Sequence, residues 1–427
     1  MSKSFIFLIK VLLLLIPALW LAFYPGELKI SWYEWQIETS VAVLVLFGFV
    51  ATVLVIVLNR LARIVFDKPL RWWRSLNEKR LRAVVAFSDG LIYAESGDLS
   101  GLQRAAKLAS LIPETRTSGM YLSARRNELQ KNFGEARSLY EVVVLDSRLS
   151  LLARQGLARI ALAEHQPQLA LAQAEQARLV APNALWVNQL LVELYEKNHD
   201  WAKLWQILEG KSELAGFSAK LIARKQAIVQ LALMSQAEAA GRTEEALTLA
   251  KSALESQPSF VPAISALARL LIAGGNLKAA ERLIEKHWHQ AQHPEIALLY
   301  RATAPDSSEL AQVMRFRALE KRAPESPETD FALGTISKTA ELWGEARRYW
   351  RRAVERDPGY QARVYNALAA LEIAEHDDHS TAETWIKKSR EAGSLPLWRC
   401  HQCLQVADFW TPSCLHCGAV DRIEWGN

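Results

Sequence analysis

The feature that most constrains this chain is an uninterrupted apolar run near its N-terminus. Residues 41–58 read VAVLVLFGFVATVLVIVL and contain no charged side chain. A helix of about this length crosses the hydrocarbon core of a bilayer, where a helix satisfies all of its own peptide groups. A core helix of a soluble domain, the alternative, is rarely apolar on every face. The run therefore predicts a transmembrane helix.

A basic segment follows this run and predicts its direction. Residues 59–82 contain eight Lys or Arg residues and two acidic residues, which gives this segment a charge of +6. Lys and Arg accumulate on the cytoplasmic side of a membrane, so the chain after Leu58 is expected in the cytoplasm. Because the whole chain carries only +5, the remainder is close to neutral. This distribution favours contact with anionic lipid headgroups and argues against a nucleic-acid surface.

A second apolar run, residues 5–23, lies nearer the N-terminus and is interrupted by one Lys and one Pro. It lacks the small-residue cleavage site of a signal peptide, so we predict an uncleaved span. The loop between the runs, residues 24–40, has one cation against three acidic residues and a short alternating pattern typical of an extended ribbon. Residues 1–82 are thus predicted to form a two-span hairpin in a bacterial inner membrane, with both termini cytoplasmic.

Small or apolar residues recur at an interval of 34 through residues 83–392. The recurring positions are Leu102, Ala136, Ala170, Leu204, Ala246, Ala280, Ala346 and Ala382, with a degenerate unit near Ala311. This interval is that of the tetratricopeptide repeat, a pair of antiparallel helices that buries its apolar face by stacking on its neighbours. We predict an all-α fold in which an α-solenoid presents its first helices to partner proteins.

The spacing also predicts two irregular regions in this array. The interval from Leu204 to Ala246 is 42 rather than 34, so an insertion or a kink is expected within residues 205–245. Residues 302–330 are rich in Pro, Ser, Asp and Glu, and we expect loops or irregular repeats there.

All four cysteines lie in the last 28 residues. Cys400 and Cys403 form one C-x-x-C pair, and Cys414 and Cys417 form another after ten intervening residues. Two such pairs supply four thiolates to one soft metal ion and leave no open coordination position. Because cytoplasmic thiols stay reduced, disulfides are not expected. We predict a four-cysteine knuckle of the zinc-ribbon or rubredoxin-like type over residues 393–427, which holds structural zinc or, as the alternative, iron.

Three stretches resemble the N-terminal domain of the HemY family: PGELKISWYEWQIETS at residues 25–40, the basic segment through Lys68-Pro69, and GLIYAESGDLSGLQRAAKLA at residues 90–109. HemY proteins of proteobacteria are inner-membrane proteins associated with haem biosynthesis. The resemblance therefore implies a role in haem or porphyrin metabolism, with haem-biosynthesis enzymes as partners.

The tail carries a second resemblance. It has Trp398 before the first Cys and the pattern D-x-x-x-W from Asp421 to Trp425. This tail resembles that of alphaproteobacterial HemY-like proteins. It is also similar to the rubredoxin-like tail of the lipopolysaccharide assembly protein LapB, a repeat protein tethered by a single span.

The sequence lacks the motifs of nucleotide, dinucleotide and zinc-protease sites, namely G-x-x-x-x-G-K-[ST], G-x-G-x-x-G and H-E-x-x-H. We therefore predict no catalytic residues and a non-catalytic scaffold, with a LapB-like adaptor that regulates lipopolysaccharide synthesis through a membrane protease as the alternative. His289 and His293 are candidate haem or metal ligands, because a spacing of four places two side chains on one helix face. The alternative for them is a solvated helix end before Pro294.

Overall fold

The computed structural model describes residues 26–33, 35–62 and 68–426, together with four positions between residues 16 and 24. The first predicted span, residues 5–23, lies outside the described residues except at three of those positions. The chain divides into two compact units, Met1–Leu139 and Tyr140–Asn427.

A β-hairpin and a long apolar helix open the first unit. Strands β1 (Glu27–Trp32) and β2 (Trp35–Ser40) pair antiparallel, which confirms the predicted ribbon. Helix α1 (Val41–Ala62) begins at the residue after β2. Its stretch Val41–Leu61 is the one helix among the described residues that is long and apolar enough to cross a membrane, and none of it is buried by the rest of the protein.

The helices that follow α1 in the first unit pack around small residues. They are α2 (Lys68–Ser96), α3 (Leu99–Ala109), α4 (Arg116–Leu129) and the beginning of α5 (Phe133–Val143). A Cβ atom on Gly90 of α2 would lie 2.5 Å from Cδ1 of Leu122 and 3.2 Å from Cβ of Ala105, so these helices meet where a side chain is missing. Helix α2 has 29 residues and crosses the predicted boundary at residue 82.

Helix pairs make up most of the second unit. After α5 the helices are α6 (Ser150–Ala163), α7 (Pro167–Val180), α8 (Leu185–Lys197), α9 (Trp201–Leu208), α10 (Ala219–Ala239), α11 (Thr243–Ser256), α12 (Val261–Ala273), α13 (Leu277–His287), α14 (Pro294–Ala302), α15 (Glu309–Arg322), α16 (Pro327–Thr339), α17 (Trp343–Arg356), α18 (Gln361–His376) and α19 (His379–Ala392). Each even-numbered helix from α6 is the first of a pair, and the recurring positions found in the sequence lie in the odd-numbered second helices.

The buried positions confirm the interval of 34. In the second helices Ala170, Leu204, Ala246, Ala280, Ala346 and Ala382 are buried. Twelve residues before the first five of these, Ala158, Val192, Met234, Ala268 and Gly334 are buried too, whereas Ala370 in the last pair is exposed. The degenerate unit differs, because Ala311 is exposed and its neighbour Gln312 is buried. The amide of Gln312 donates to the carbonyl oxygens of Arg301 and Ala304, so this buried polar side chain is paired with backbone at the C-terminal end of α14.

Both predicted irregular regions depart from the regular pattern of helix pairs. Helix α9 has only 8 residues and α10 has 21, with residues 209–218 between them, so the extra chain lies where the interval of 42 placed it. In the second region, residues 303–308 and 323–326 are loops on either side of α15, and α15 belongs to the degenerate unit, so loops and an irregular repeat both occur there. The N-terminus of α15 is fixed by the Ser308 hydroxyl, which accepts from the backbone N–H of Ala311.

A small sheet completes the second unit. Strands β3 (Leu397–Cys400), β4 (Val406–Ala407) and β5 (Ile423–Gly426) pair antiparallel with β3 in the centre. The fold is therefore a mostly helical solenoid of the tetratricopeptide type rather than all-α, because short strands form both the hairpin before α1 and the core of the cysteine-rich tail.

Two glycines ten residues apart test whether the close helix contacts depend on a missing side chain. A Cβ atom on Gly334 would lie 2.4 Å from two ring atoms of the buried Trp350, whereas a Cβ atom on Gly344 would meet nothing within 4 Å. We expect Gly334→Ala to destabilise the protein by about 1–3 kcal/mol through overpacking. Gly344→Ala should be neutral or stabilise it by up to about 1 kcal/mol, because alanine favours a helix. Thermal unfolding in detergent gives the melting temperature of each variant. Equal shifts of this temperature for the two variants would contradict the close packing at Gly334.

Candidate metal centre

Two turns of the same geometry carry the four cysteines. In the first turn the backbone N–H of Leu404 donates to the carbonyl of Cys400 at 2.8 Å, and in the second Gly418 donates to Cys414 at 2.8 Å. Leu404 and Gly418 both have a positive φ, 61° and 73°. Such a conformation is free for Gly and costs roughly 1–2 kcal/mol for a residue with a Cβ atom. The first turn is therefore the more strained of the two.

The thiol groups lie at the separations that a tetrahedral metal ion requires. All four Sγ atoms are within 4.8 Å of one another. The Sγ atoms of Cys400 and Cys417 are 3.7 Å apart, as are those of Cys403 and Cys414. Four thiolates at about 2.3 Å from zinc have sulfur–sulfur edges of about 3.8 Å, whereas a disulfide requires about 2.05 Å. The four cysteines are not disulfide-bonded, and this donor set could bind a metal ion.

Backbone N–H groups of the second turn prepare one thiol for metal binding. The N–H of Cys417, followed by that of His416, lowers the pKa of the Cys414 thiol to about 6. The thiolate is the form that binds a metal, and within the same cluster burial and the neighbouring thiols raise the pKa of Cys403 and Cys417. His401 and His416 are exposed, and Nε2 of His401 lies 3.1 Å from the carboxylate of Glu424.

The cysteine module, residues 397–426, is anchored to the first helices by one aromatic ring. Phe260, which caps the N-terminus of α12, has the guanidinium of Arg224 at 3.8 Å from its ring centroid. The same ring receives Trp410 edge-on, with 5.1 Å between centroids and an interplanar angle of 89°. Arg224 in turn forms a two-pronged ion pair with Asp421 at 2.6 and 3.2 Å. Trp410 thus contacts the Phe260 ring directly, and Asp421 is held beside it through Arg224.

A buried histidine makes the second anchor. His293 caps the N-terminus of α14, where its Nδ1 accepts from the backbone N–H of Glu295 at 3.2 Å. Its ring lies 5.2 Å from Trp398 and 4.6 Å from Trp425, and these two indoles also contact each other. The tryptophan residues at the two ends of the module therefore close over a side chain of the helix array.

These contacts place the module on the first helices. Arg224 belongs to α10, Phe260 precedes α12 and His293 precedes α14, while Leu397 and Trp425 of the module line a cavity with residues of α16 and α18. First helices form the face that the sequence predicted for partner proteins. In the second unit the chain's own C-terminus covers part of this face.

The candidate pair His289 and His293 does not share a helix face, and that expectation is wrong. Helix α13 ends at His287 and α14 begins at Pro294, because a proline suits the first turn of a helix and ends the preceding one. His293 is buried against the module, whereas His289 lines a cavity with Lys286 and Arg322.

Sequence reasoning missed the docking residues Arg224 and Phe260, because neither belongs to a motif. The sequence offered one signal for docking, the large aromatic residues Trp398, Phe409, Trp410 and Trp425 in a tail too short to bury them all by itself.

Burial of His293 predicts that the second unit loses stability in acid. Burial, with a smaller contribution from the charge of Arg363, lowers the pKa of His293 from 6.5 to about 4. Between these two pH values the unfolded chain therefore binds more protons than the folded chain. The stability that the buried neutral imidazole contributes is complete above about pH 6.5 and is lost as the pH falls towards 4. At pH 5 the loss should be about 2 kcal/mol.

The control is His293→Asn, which keeps an N-cap acceptor but does not titrate. Urea unfolding at pH 7.5 and pH 5 should show a larger loss of stability for the wild type than for the variant. An equal loss in both proteins would contradict the role of His293.

Comparison with known proteins agrees with this architecture. The family model for the HemY protein N-terminus matches residues 26–130, and a tetratricopeptide repeat model matches residues 237–302. The probable magnetosome protein Mms48 of Magnetospirillum gryphiswaldense is 26% identical over 431 residues, which cover 95% of this chain and 89% of the relative.

Similar solved structures have low sequence identity. Naa15/Naa10 bound to HypK-THB matches with 15% identity and a TM-score of 0.41, over 73% of this chain and 51% of that one. MamA from Desulfovibrio magneticus matches with 18% identity and a TM-score of 0.26, over 39% and 94% of the two chains. The family matches therefore support a HemY-type tetratricopeptide-repeat protein, and the C-terminal cysteine cluster fits a zinc-ribbon tail.

Proposed function

We propose that this protein is a membrane-anchored, non-catalytic scaffold that holds partner proteins in haem or porphyrin metabolism. The observation that carries the proposal is the combination of an apolar, unburied helix at Val41–Leu61 with an array of tetratricopeptide helix pairs on the same chain. Helix-pair repeats bind other proteins through extended surfaces. The haem assignment is supported by the match to the HemY N-terminus.

The proposed location is the inner membrane of a bacterium, with two spans and both termini in the cytoplasm. The basic residues between positions 59 and 82 support this direction, since they follow the apolar run directly. A reducing cytoplasm also suits four free cysteines. Partners would then be cytoplasmic enzymes or membrane proteins that reach the helix array from the inner side.

The relative from Magnetospirillum supports a second candidate. It matches almost the whole chain, and its name describes it as a probable magnetosome protein. A scaffold of the same architecture could thus organise proteins at a specialised membrane without a role in porphyrin chemistry. The third candidate is a LapB-like adaptor, whose partner would be a membrane protease that regulates lipopolysaccharide synthesis.

Proximity labelling from a biotin ligase fused to the C-terminus would distinguish these functions in the native bacterium. We expect porphyrin-pathway enzymes to be enriched several-fold relative to a control that carries only residues 1–82 and the ligase. Enrichment of a membrane protease together with an enzyme of lipopolysaccharide synthesis would instead support the adaptor. An identical set of labelled proteins for the full chain and the control would contradict the scaffold.

For the cysteine module we propose one structural metal ion, zinc in preference to iron, bound by Cys400, Cys403, Cys414 and Cys417. The support is the mutual proximity of the four Sγ atoms and the edge distances near those of a zinc tetrathiolate. When bound, the metal would supply cross-linking rather than catalysis, since the protein fills all four positions.

Substitution of one ligand tests this site. We expect the purified wild type to contain one zinc per chain, and Cys400→Ser to lose most of it, because three thiolates and a hydroxyl bind zinc more weakly. His401→Gln is the matched control, since His401 lies in the same turn and is exposed. Elemental analysis by mass spectrometry gives the metal content. Unchanged content in Cys400→Ser, or equal loss in both variants, would contradict the ligand set.

A further inference from the structure

A cleft lies between the cysteine module and the helix array. It has a volume of about 530 Å³, and residues 409–412 of the module form one wall while α10 and α12 form the other. Volumes of about 300–1,000 Å³ are typical of ligand sites in proteins. Since neither wall is sufficient alone, the cleft exists only when the module is folded and docked.

The apolar part of the cleft can receive one or more hydrocarbon side chains. Leu231 and Met234 of α10 and Ala266 of α12 line its floor, and Phe409 stands at its rim. The Phe409 side chain is 58% exposed, although the neighbouring Trp410 packs on Phe260. An exposed aromatic residue beside a concave apolar surface is a common anchor for a partner chain.

The polar part of the cleft has an excess of negative charge. Glu238 of α10 and Arg269 of α12 form a two-pronged ion pair at 2.5 and 2.9 Å. Glu295 of α14 lines the same cleft, and burial raises the pKa of its carboxyl. Arg269 balances the charge of one of these two carboxyl groups, so the cleft keeps one formal negative charge. A cation beside Glu295 would favour the ionised form of its carboxyl.

We propose that this cleft binds an extended peptide segment of a partner protein that carries a Lys or Arg side chain next to an apolar one. The cation lies between Glu238 and Glu295, and the apolar side chain packs on Met234 and Phe409. This inference rests on the proposed scaffold function and assigns to it a binding site and a partner chemistry.

The site is coupled to the metal centre through the chain connectivity. Residues 409–412 lie between Cys403 and Cys414, so the two C-x-x-C turns fix both ends of the loop that forms the outer wall. Loss of the tetrathiolate would free this loop and open the cleft. Binding of the peptide therefore requires the closed module.

The experiment selects peptides from a phage-displayed library of random 12-residue sequences on the full-length protein in lipid nanodiscs. The selection is depleted on the Phe409→Ala variant, which leaves the anchor at Trp410 in place. We expect the selected sequences to share a Lys or Arg adjacent to an apolar residue. Sequences enriched in acidic residues, or no shared pattern, would overturn the proposal.

A charge reversal provides the decisive control. A selected peptide, synthesised with a fluorescent label, should bind Glu238→Lys at least tenfold more weakly than the wild type. Replacing the basic residue of the peptide by Glu should restore binding to this variant. Glu244→Lys is the matched control, because Glu244 is exposed in the first turn of α11, outside the cleft, and should leave affinity unchanged.

Equal affinity of the peptide for wild type and Glu238→Lys would overturn the cleft as the binding site. The scaffold function has a separate readout, because proximity labelling does not depend on this peptide. Partners that are labelled equally by wild type, Glu238→Lys and Phe409→Ala, together with no selected peptide, would show that the scaffold binds through another surface.

Discussion

The close approach of two helices at a single small residue is the contact on which the helix pairs depend. Gly334 illustrates it, since the ring of Trp350 occupies the space where a Cβ atom would lie. A pair of helices brought this close buries its apolar stripe without a third layer, and stacking of pairs then covers the remaining surface. In the degenerate unit Ala311 is exposed instead, and the buried amide of its neighbour Gln312 donates to the backbone carbonyl oxygen of Ala304.

The cysteine module adds a second level of organisation to this array. Its docking concentrates on Phe260, whose ring is contacted by the guanidinium of Arg224 and, in a T-shaped arrangement, by Trp410. Contacts of this type combine apolar burial with the attraction of a cation or a ring edge for the aromatic face. The module therefore covers part of the face formed by the first helices. Beside the covered part lies a cleft with one wall from the module and one from the helix array.

How far the candidate site could be predicted depended on the kind of signal. The cysteines were found because metal ligands follow a short spacing that the turn geometry imposes, and their Sγ atoms do converge. The pairing of His289 with His293 failed because Pro294 begins a new helix, which separates two residues that a continuous helix would place together. The docking residues could not be found, since their role comes from meeting residues far along the chain. Arg224, for example, is 197 positions from Asp421.

The sequence by itself determined the apolar helix, the interval of the helix pairs, the position of the insertion and the four thiols, because each follows from a local pattern of side chains along the chain. Only the tertiary structure decided that the tail lies against the first helices, and that Glu238, Glu295 and Phe409 meet in one cleft. The physical reason is that docking depends on complementary surfaces of distant segments. Such complementarity has no period or spacing in the sequence, and it exists only once both surfaces are folded.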